Sequence, residues 1–232
     1  MLRPLELEKV WERQVPLISS DCQKRLRNAR VAVVGAGGLG SPVSIYLARS
    51  GVGKLLLIDR GKVDLPDLHR QILYTPDDLG RAKVEVAKEK LEKECPWTEL
   101  EALEISLDDS FDFPDVDLVV SCLDNFATRY LLDEITWKKG LPVVHGAVEA
   151  YTGQITTIVP GVTPRLKEII PGFKDPERKI LVLPPAVAVV ASLQTLEAVK
   201  YLCDMPGNLV NRLLVIDLLN YSIEIAEIKR KG

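Results

Sequence analysis

The chain has 232 residues, 47% of them hydrophobic, and a formal net charge of −3. That is enough for one large α/β domain with a small appendage, and nothing in the charge balance points to nucleic acid or an anionic membrane as partner. No apolar run approaches the roughly 20 residues of a membrane span, Leu181–Ala191 being far too short, and the N-terminal MLRPLELEKVWERQ lacks the apolar segment of a signal peptide. The expectation is a soluble, cytoplasmic protein. Cys22, Cys95, Cys122 and Cys203 are scattered and form no CxxC pair, so they are expected to be reduced, buried thiols rather than disulfides or metal ligands.

Residues 1–29 are predicted to form a helical leader with apolar positions Leu5, Val10, Val15, Leu17 and Ile18 among charges. Arg30–Val34 is a short apolar run, hence a buried strand, and it feeds directly into Gly35-Ala36-Gly37-Gly38-Leu39-Gly40. A helix follows to Arg49, stopped by Gly51 and Gly53, and Lys54–Ile58 is a second buried strand ending on Asp59. Lys83–Glu94 has helical spacing with interleaved charges, and Cys95-Pro96 ends it. Asp117–Ser121 is predicted as a strand, Asn125–Lys139 as a helix and Leu141–His145 as a strand. Beyond Gly153 come a strand over Gln154–Val159, a Pro/Gly/charge-rich stretch over Pro160–Lys179, and a long apolar helix over Pro184–Cys203. Strands over Arg212–Leu218 and Tyr221–Ile228 complete the chain. Alternating strands and helices predict a doubly wound, Rossmann-like, mostly parallel α/β sheet, here extended by C-terminal antiparallel strands. The expected organisation is a leader (1–29), acting as an arm for a dimer or active site, and a single domain (30–232) with a loop at 160–180.

Gly35, Gly37 and Gly40 make G-x-G-x-x-G between strand and helix, where a phosphate would rest on the helix N-terminus. Asp59, 24 positions after Gly35, ends the next strand, placed to bond a ribose hydroxyl. The usual ligand of such a turn is NAD(P), which keeps an NAD(P)-linked oxidoreductase open. The polar segment after Asp59, with Arg70, Gln71 and then Lys83, argues instead for a triphosphate, because cations stabilise charge developing on a leaving pyrophosphate. No hydride-relay pair is evident, and in a dehydrogenase Arg70 and Lys83 would have no task. His69 and His145 are the only histidines. His145 sits at a strand end, and neither is expected to act as a catalyst, since chemistry at a triphosphate needs positioning and electrostatics more than a proton acceptor.

Taken in order, G-A-G-G-L-G-S, Asp59…Leu68-His69-Arg70-Gln71-Ile72-Leu73, Gly80-x-x-Lys83, Cys122-Leu123-Asp124-Asn125, Gly153-Gln154 and Ser192-Leu193-Gln194-x-x-Glu197-Ala198-Val199-Lys200 resemble the MoeB/ThiF/HesA family, relatives of the ubiquitin-activating enzymes. The resemblance runs from about Glu12 to Ile228. It implies ATP-dependent adenylylation of the C-terminal carboxylate of a ubiquitin-like sulfur-carrier protein, with ATP and Mg²⁺ required. It implies that Gly38 and its neighbours line the adenine and phosphate end and that Asp59 holds the ribose. It places Arg70 and Gln71 on the phosphates and Lys83 on the leaving group or the α-phosphate. Asp124 would hold Mg²⁺ with Asn125 beside the nucleotide, a pair whose ordinary alternative is an N-cap for the following helix. Arg13 would be contributed across a homodimer to the other subunit's ATP.

The departures are specific. Most relatives bind zinc through two CxxC pairs. Here the first pair reads Arg165-Leu166-Lys167-Glu168 and the chain ends about where the second would begin, which implies a zinc-free version. Relatives that form a thioester use a cysteine before the long apolar helix, but residues 172–179 contain none, so the chemistry is expected to stop at the acyl adenylate. Asp67 stands where relatives have Asn, and Gly61 where a second acidic residue is common. A carboxylate beside a triphosphate costs on the order of 1–4 kcal/mol unless Lys62, His69 or Mg²⁺ compensates. That substitution keeps open a nucleotide-binding scaffold that docks a partner without activating it.

Overall fold

Four segments, Arg30–Val34 (β1), Lys54–Ile58 (β2), Leu118–Ser121 (β4) and Val143–Glu149 (β5), carry almost unbroken apolar runs because helices cover both faces of the sheet they build. The computed structural model describes Leu7, residues 9–172, Asp175 and residues 180–230. Its single eight-stranded sheet has the order β3-β2-β1-β4-β5-β6-β7-β8, with Glu99–Leu103 as β3, Thr152–Ile158 as β6, Arg212–Asp217 as β7 and Ser222–Glu227 as β8. The first five strands run parallel, and β6, β7 and β8 are added antiparallel. The expected fold class is therefore observed.

Strand alternation divides the core in two. Val31, Val33, Leu55, Leu57, Leu118 and Val120 face a cluster with Val43 and Leu47 of helix Gly40–Arg49 (α3), Val84 and Leu91 of Lys83–Glu94 (α4), and Val190 and Ala198 of Pro184–Leu202 (α7). Ala32, Val34, Leu56, Ile58 and Val119 face the opposite cluster with Leu132 and Ile135 of Phe126–Lys139 (α5) and Leu166 of the short helix Leu166–Ile169 (α6). Each fully buried Val, Leu or Ile stabilises this arrangement by roughly 1.5–3 kcal/mol. A one-residue slip of any central strand would exchange its contributions to the two clusters.

Helix α7 lies directly on backbone. A Cβ at Gly146 would come within 2.5 Å of the Gln194 side chain, and one at Gly153 within 2.3 Å of Val190. Gln194 is wholly buried and donates to the Ser121 and Val144 carbonyls at 2.8 and 3.2 Å. Glu197 accepts from the Thr157 hydroxyl and, at 2.7 Å, from the Leu209 amide. The polar residues on this apolar helix thus fasten it to strand ends.

Several sequence expectations need correction. Among the described residues the leader is not one helix: Val15–Ile18 (α1) and Ser20–Asn28 (α2) are separate, broken at Ser19 with φ 79°. Leu17, expected on its apolar face, is 81% exposed. The leader docks through Ile18 and buried Leu26 on the core and through Trp11, whose Nε1 donates to the Arg49 carbonyl at 2.8 Å. Leu5 lies outside the described residues. Strand β3 has no counterpart among the predicted elements because its charges alternate along a sheet edge. Strand β5 runs on to Glu149, paired with β6 as far as Thr152. Of the loop expected at 160–180, residues 173, 174 and 176–179 lie outside the described residues, and α6 occupies part of the rest. Cys22 and Cys203 are joined in a disulfide that ties α2 to the end of α7, whereas only Cys95 and Cys122 are free and buried. Scattered spacing concealed that pair, since residues 181 apart in sequence meet only through packing.

Helix α6 is held by a buried ion pair. Asp133 of α5, 3% exposed, accepts from Arg165 Nε and the Leu166 amide, both at 3.1 Å, and the Arg165 guanidinium lies 5.7 Å over the Trp137 ring. Burial raises the Asp133 carboxyl above the ordinary range, against the pull of the Leu166 amide and Arg165. The folded state therefore binds this proton more tightly than the unfolded chain. That contribution is complete below the ordinary aspartate pKa and is lost as pH rises through the raised one. Arg165→Met strands the carboxylate and is expected to cost about 3 kcal/mol at neutral pH. The deficit should narrow toward pH 4, as Asp133 takes up a proton. Urea midpoints at the two pH values check this, and an equal loss at both would contradict it.

Candidate functional site

In an open sheet of this order, ligands bind beyond the carboxyl ends of the strands, where the strand order reverses between β1 and β4. The two ends emerge side by side: the Cys122 amide donates to the Val34 carbonyl at 2.8 Å. Gly35 then turns with φ 96°, where a Cβ would lie 2.5 Å from the Cys122 carbonyl oxygen. At Gly40 a Cβ would fall 1.8 Å from the Gly35 oxygen. Only glycine lets α3 start so close to β1. No side chain caps α3; Ser41 and Val43 donate to the Gly37 and Leu39 carbonyls and Pro42 has no N–H, so what α3 offers an anion is the partial positive charge of its N-terminus.

Asp59, leaving β2, holds this turn from the side. One carboxylate oxygen accepts from the Ala36 amide at 2.7 Å and the other from Gly61 at 2.6 Å. A carboxylate has about four acceptor positions, so two remain for hydroxyls.

Between Asp59 and Lys83 the chain folds back over the turn. Gly38 faces both Val187 at the start of α7 and the stem of Arg70, which a Cβ there would meet at 3.3 and 3.6 Å. Gly37 lies under Gln71, whose Nε2 would be 3.5 Å from such an atom. Arg70 donates to the Pro66 carbonyl at 2.7 Å and approaches His69 Nε2 at 2.9 Å. Lys83, the first residue of α4, extends its ammonium to Asp67 at 2.9 Å. Asp67 also accepts from Gln71 Nε2 at 2.7 Å and Arg70 at 3.4 Å. Buried Gln71 Oε1 has no partner among the described residues.

Two residues that the sequence reading passed over complete the frame. Tyr74 is buried and donates to the Ala36 carbonyl at 2.7 Å, joining the polar segment to the glycine turn. Burial, with Asp59 and Asp67 nearby, pushes its phenol far up, so it stays protonated. Its one legible sign was being the only Phe, Trp or Tyr between Asp59 and Lys83. Arg129 is buried in α5 and donates to the Leu123 and Gly146 carbonyls, clamping the segments that follow β4 to β5. Desolvation lowers its guanidinium to about 10, so it remains cationic at neutral pH. It lies 3.2 Å from Nδ1 of His145, which is wholly buried and depressed well below the usual histidine range by burial and by Arg129. His145 is thus a neutral core residue.

Asp124 is exposed just past β4, and its carboxylate accepts from Asn125 at 3.1 Å. Asn125 is the N-cap of α5, accepting from the Thr128 amide at 2.8 Å. Asp175 meets the first two amides of the same helix at 2.5 and 3.1 Å. Arg13 does not join this group. The leader is anchored at Arg49 and Ser50, and ten-residue α3 puts that anchor about 15 Å from the glycine turn.

The set of groups fits a nucleotide triphosphate: the positive end of α3, two cations beside the glycine turn, and a carboxylate with acceptor positions to spare for hydroxyls. No group of three or more His, Cys, Asp or Glu able to hold a metal occurs among the described residues. A Mg²⁺ at Asp124 would therefore take its other ligands from phosphate and water, as this hard cation commonly does. Among the described residues no helix is long and apolar enough to cross a membrane.

Comparison with known proteins gives a consistent result. The ThiF family model matches residues 11–232. Protein HesA, heterocyst, of Trichormus variabilis is 37% identical over 225 residues, covering 94% of this chain and 83% of that protein. A sulfur carrier protein adenylyltransferase of Thermus thermophilus is 34% identical over 241 residues, covering 97% and 88%. The crystal structure of E. coli MccB with ATP superposes with a TM-score of 0.81 at 24% identity, over 91% of this chain and 67% of that one, a likeness of fold.

Proposed function

The chain belongs to the ThiF family, and from that premise we propose that it is an ATP-dependent adenylyltransferase acting on the C-terminal carboxylate of a ubiquitin-like sulfur-carrier protein. The reaction is carrier-COO⁻ + ATP → carrier-CO-AMP + pyrophosphate, in which a carboxylate oxygen attacks the α-phosphorus and the α–β anhydride bond breaks. The observation that carries this reading is the convergence of Asp59, Arg70, Gln71 and Lys83 on the turn Gly35–Gly40.

In this reading the turn and the start of α3 receive phosphate, while Asp59 takes the ribose hydroxyls. Arg70 and Gln71 hold phosphate oxygens, and Lys83 neutralises charge on the departing pyrophosphate. Asp124 would hold Mg²⁺, which supplies further neutralisation, with Asn125 fixing the Asp124 carboxylate and capping α5. The chain's work is orientation and fixed charge, the usual means of phosphoryl-transfer sites. The active unit proposed is a homodimer in the cytoplasm in which Arg13 serves the partner's nucleotide, because its own site lies beyond its reach. Zinc has no role in this reading: Arg165 is engaged by Asp133, and Glu168 accepts from the Arg165 amide at 2.7 Å. With no cysteine in residues 172–179, no thioester follows.

Pyrophosphate exchange into ATP should depend on a carrier, and Arg70→Ala or Lys83→Ala should lower it about a hundredfold. Tight NAD(H) binding without ATP binding would refute the assignment. Mixing the inactive variants Arg13→Ala and Asp124→Ala should restore activity through one intact site per mixed dimer. No recovery under demonstrated subunit exchange would rule out a role in trans. Elemental analysis of the purified protein should find no zinc, and about one zinc per chain would overturn the zinc-free reading.

A further inference from the structure

The Asp67 carboxylate sits at the hub of the groups that would hold phosphate. One oxygen accepts from Gln71 Nε2 at 2.7 Å and faces Arg70 at 3.4 Å. The other meets the Lys83 ammonium at 2.9 Å and the Asp64 amide at 3.2 Å. The Asp67 and Lys83 side chains are only 13% and 12% exposed, so water screens this pair poorly. Four donors on one carboxylate leave it little capacity for another. Two of the three side-chain donors are cations, and all three are those assigned to the nucleotide.

We propose that Asp67 is an internal competitor of the polyphosphate: it holds Lys83, Arg70 and Gln71, and an incoming triphosphate must take them from it. The proposal rests on the adenylation reading and deepens it. Three consequences follow from charge alone. The site selects for ligands with enough phosphate charge to win Lys83. It carries a carboxylate that opposes every bound phosphate. Once the α–β bond has broken, Asp67 reclaims Lys83 and weakens the hold on pyrophosphate, so it sets product release as well as substrate affinity.

Asp67→Asn removes the charge while keeping the shape and one acceptor oxygen for Gln71. Calorimetry with Mg·ATP, pyrophosphate, ADP and adenosine reads the result. Removing one unit charge near the phosphates is expected to tighten Mg·ATP and pyrophosphate about tenfold, and ADP less, with adenosine unchanged. Asp67→Ser, which removes the same charge with a smaller side chain, should give the same order and guards against a defect peculiar to the amide. Mg·ATP and pyrophosphate affinities that stay unchanged or weaken while adenosine still binds would show that Asp67 orients its neighbours for the nucleotide, and would overturn this proposal alone. A gain shared equally by adenosine would also overturn it, because the effect would not follow phosphate charge. Failure of wild type and both folded variants to bind any of the four would overturn the adenylation reading and this proposal with it.

Discussion

Helix α3 starts where it does because residue 40 has no Cβ: that atom would lie 1.8 Å from the Gly35 carbonyl oxygen. The contact is backbone on backbone, so no rotamer change can relieve it. From it follows the approach of α3 to β1, the placing of its positive end at the strand ends, and the room for Asp59 to bridge Ala36 and Gly61. Tyr74 adds a buried bond to Ala36, and Arg70, Gln71 and Val187 pack over Gly37 and Gly38. The nucleotide-facing surface is thus a stack of elements resting on one turn.

Charge is distributed around that turn in three distinct ways. Asp59 is satisfied by backbone amides, so its charge is held without consuming a cation. Asp67 consumes two. Arg129 is satisfied by the Leu123 and Gly146 carbonyls, and its burial lowers the guanidinium to about 10, yet it fixes the segment leading to Asp124. Each arrangement trades solvation for position, as sites that act by preorganised charge must.

The opposite end of the sheet serves stability. Trp11, Gln14 and Gln23 fasten the leader to the carbonyls of Arg49 and Ser50, the Cys22–Cys203 disulfide ties α2 to α7, and Asp133 with Arg165 secures α6. These attachments lie away from the glycine turn.

The parallel strands, the glycine turn and Asp59 were legible in the amino-acid order, because buried strands demand unbroken apolar runs and a tight strand-to-helix turn demands glycine at particular spacings. The ordered motifs also carried the family. Local pattern failed where a residue's neighbours are distant in sequence. Edge strand β3 alternates charges as a loop would, and in the leader Trp11 docks with Ile18 and Leu26 while Leu17 is left exposed. Cys22 meets Cys203 only once α2 and α7 have packed on the same face. Asp67 reads from sequence as a carboxylate set among cations, a simple cost to phosphate binding. Only the folded chain, by bringing Lys83 from the start of α4 to within 2.9 Å of it, made that carboxylate the partner of the groups a phosphate would need. Sequence spacing determines which elements form, whereas the electrostatics of a site depend on distances between elements, and those are set by packing.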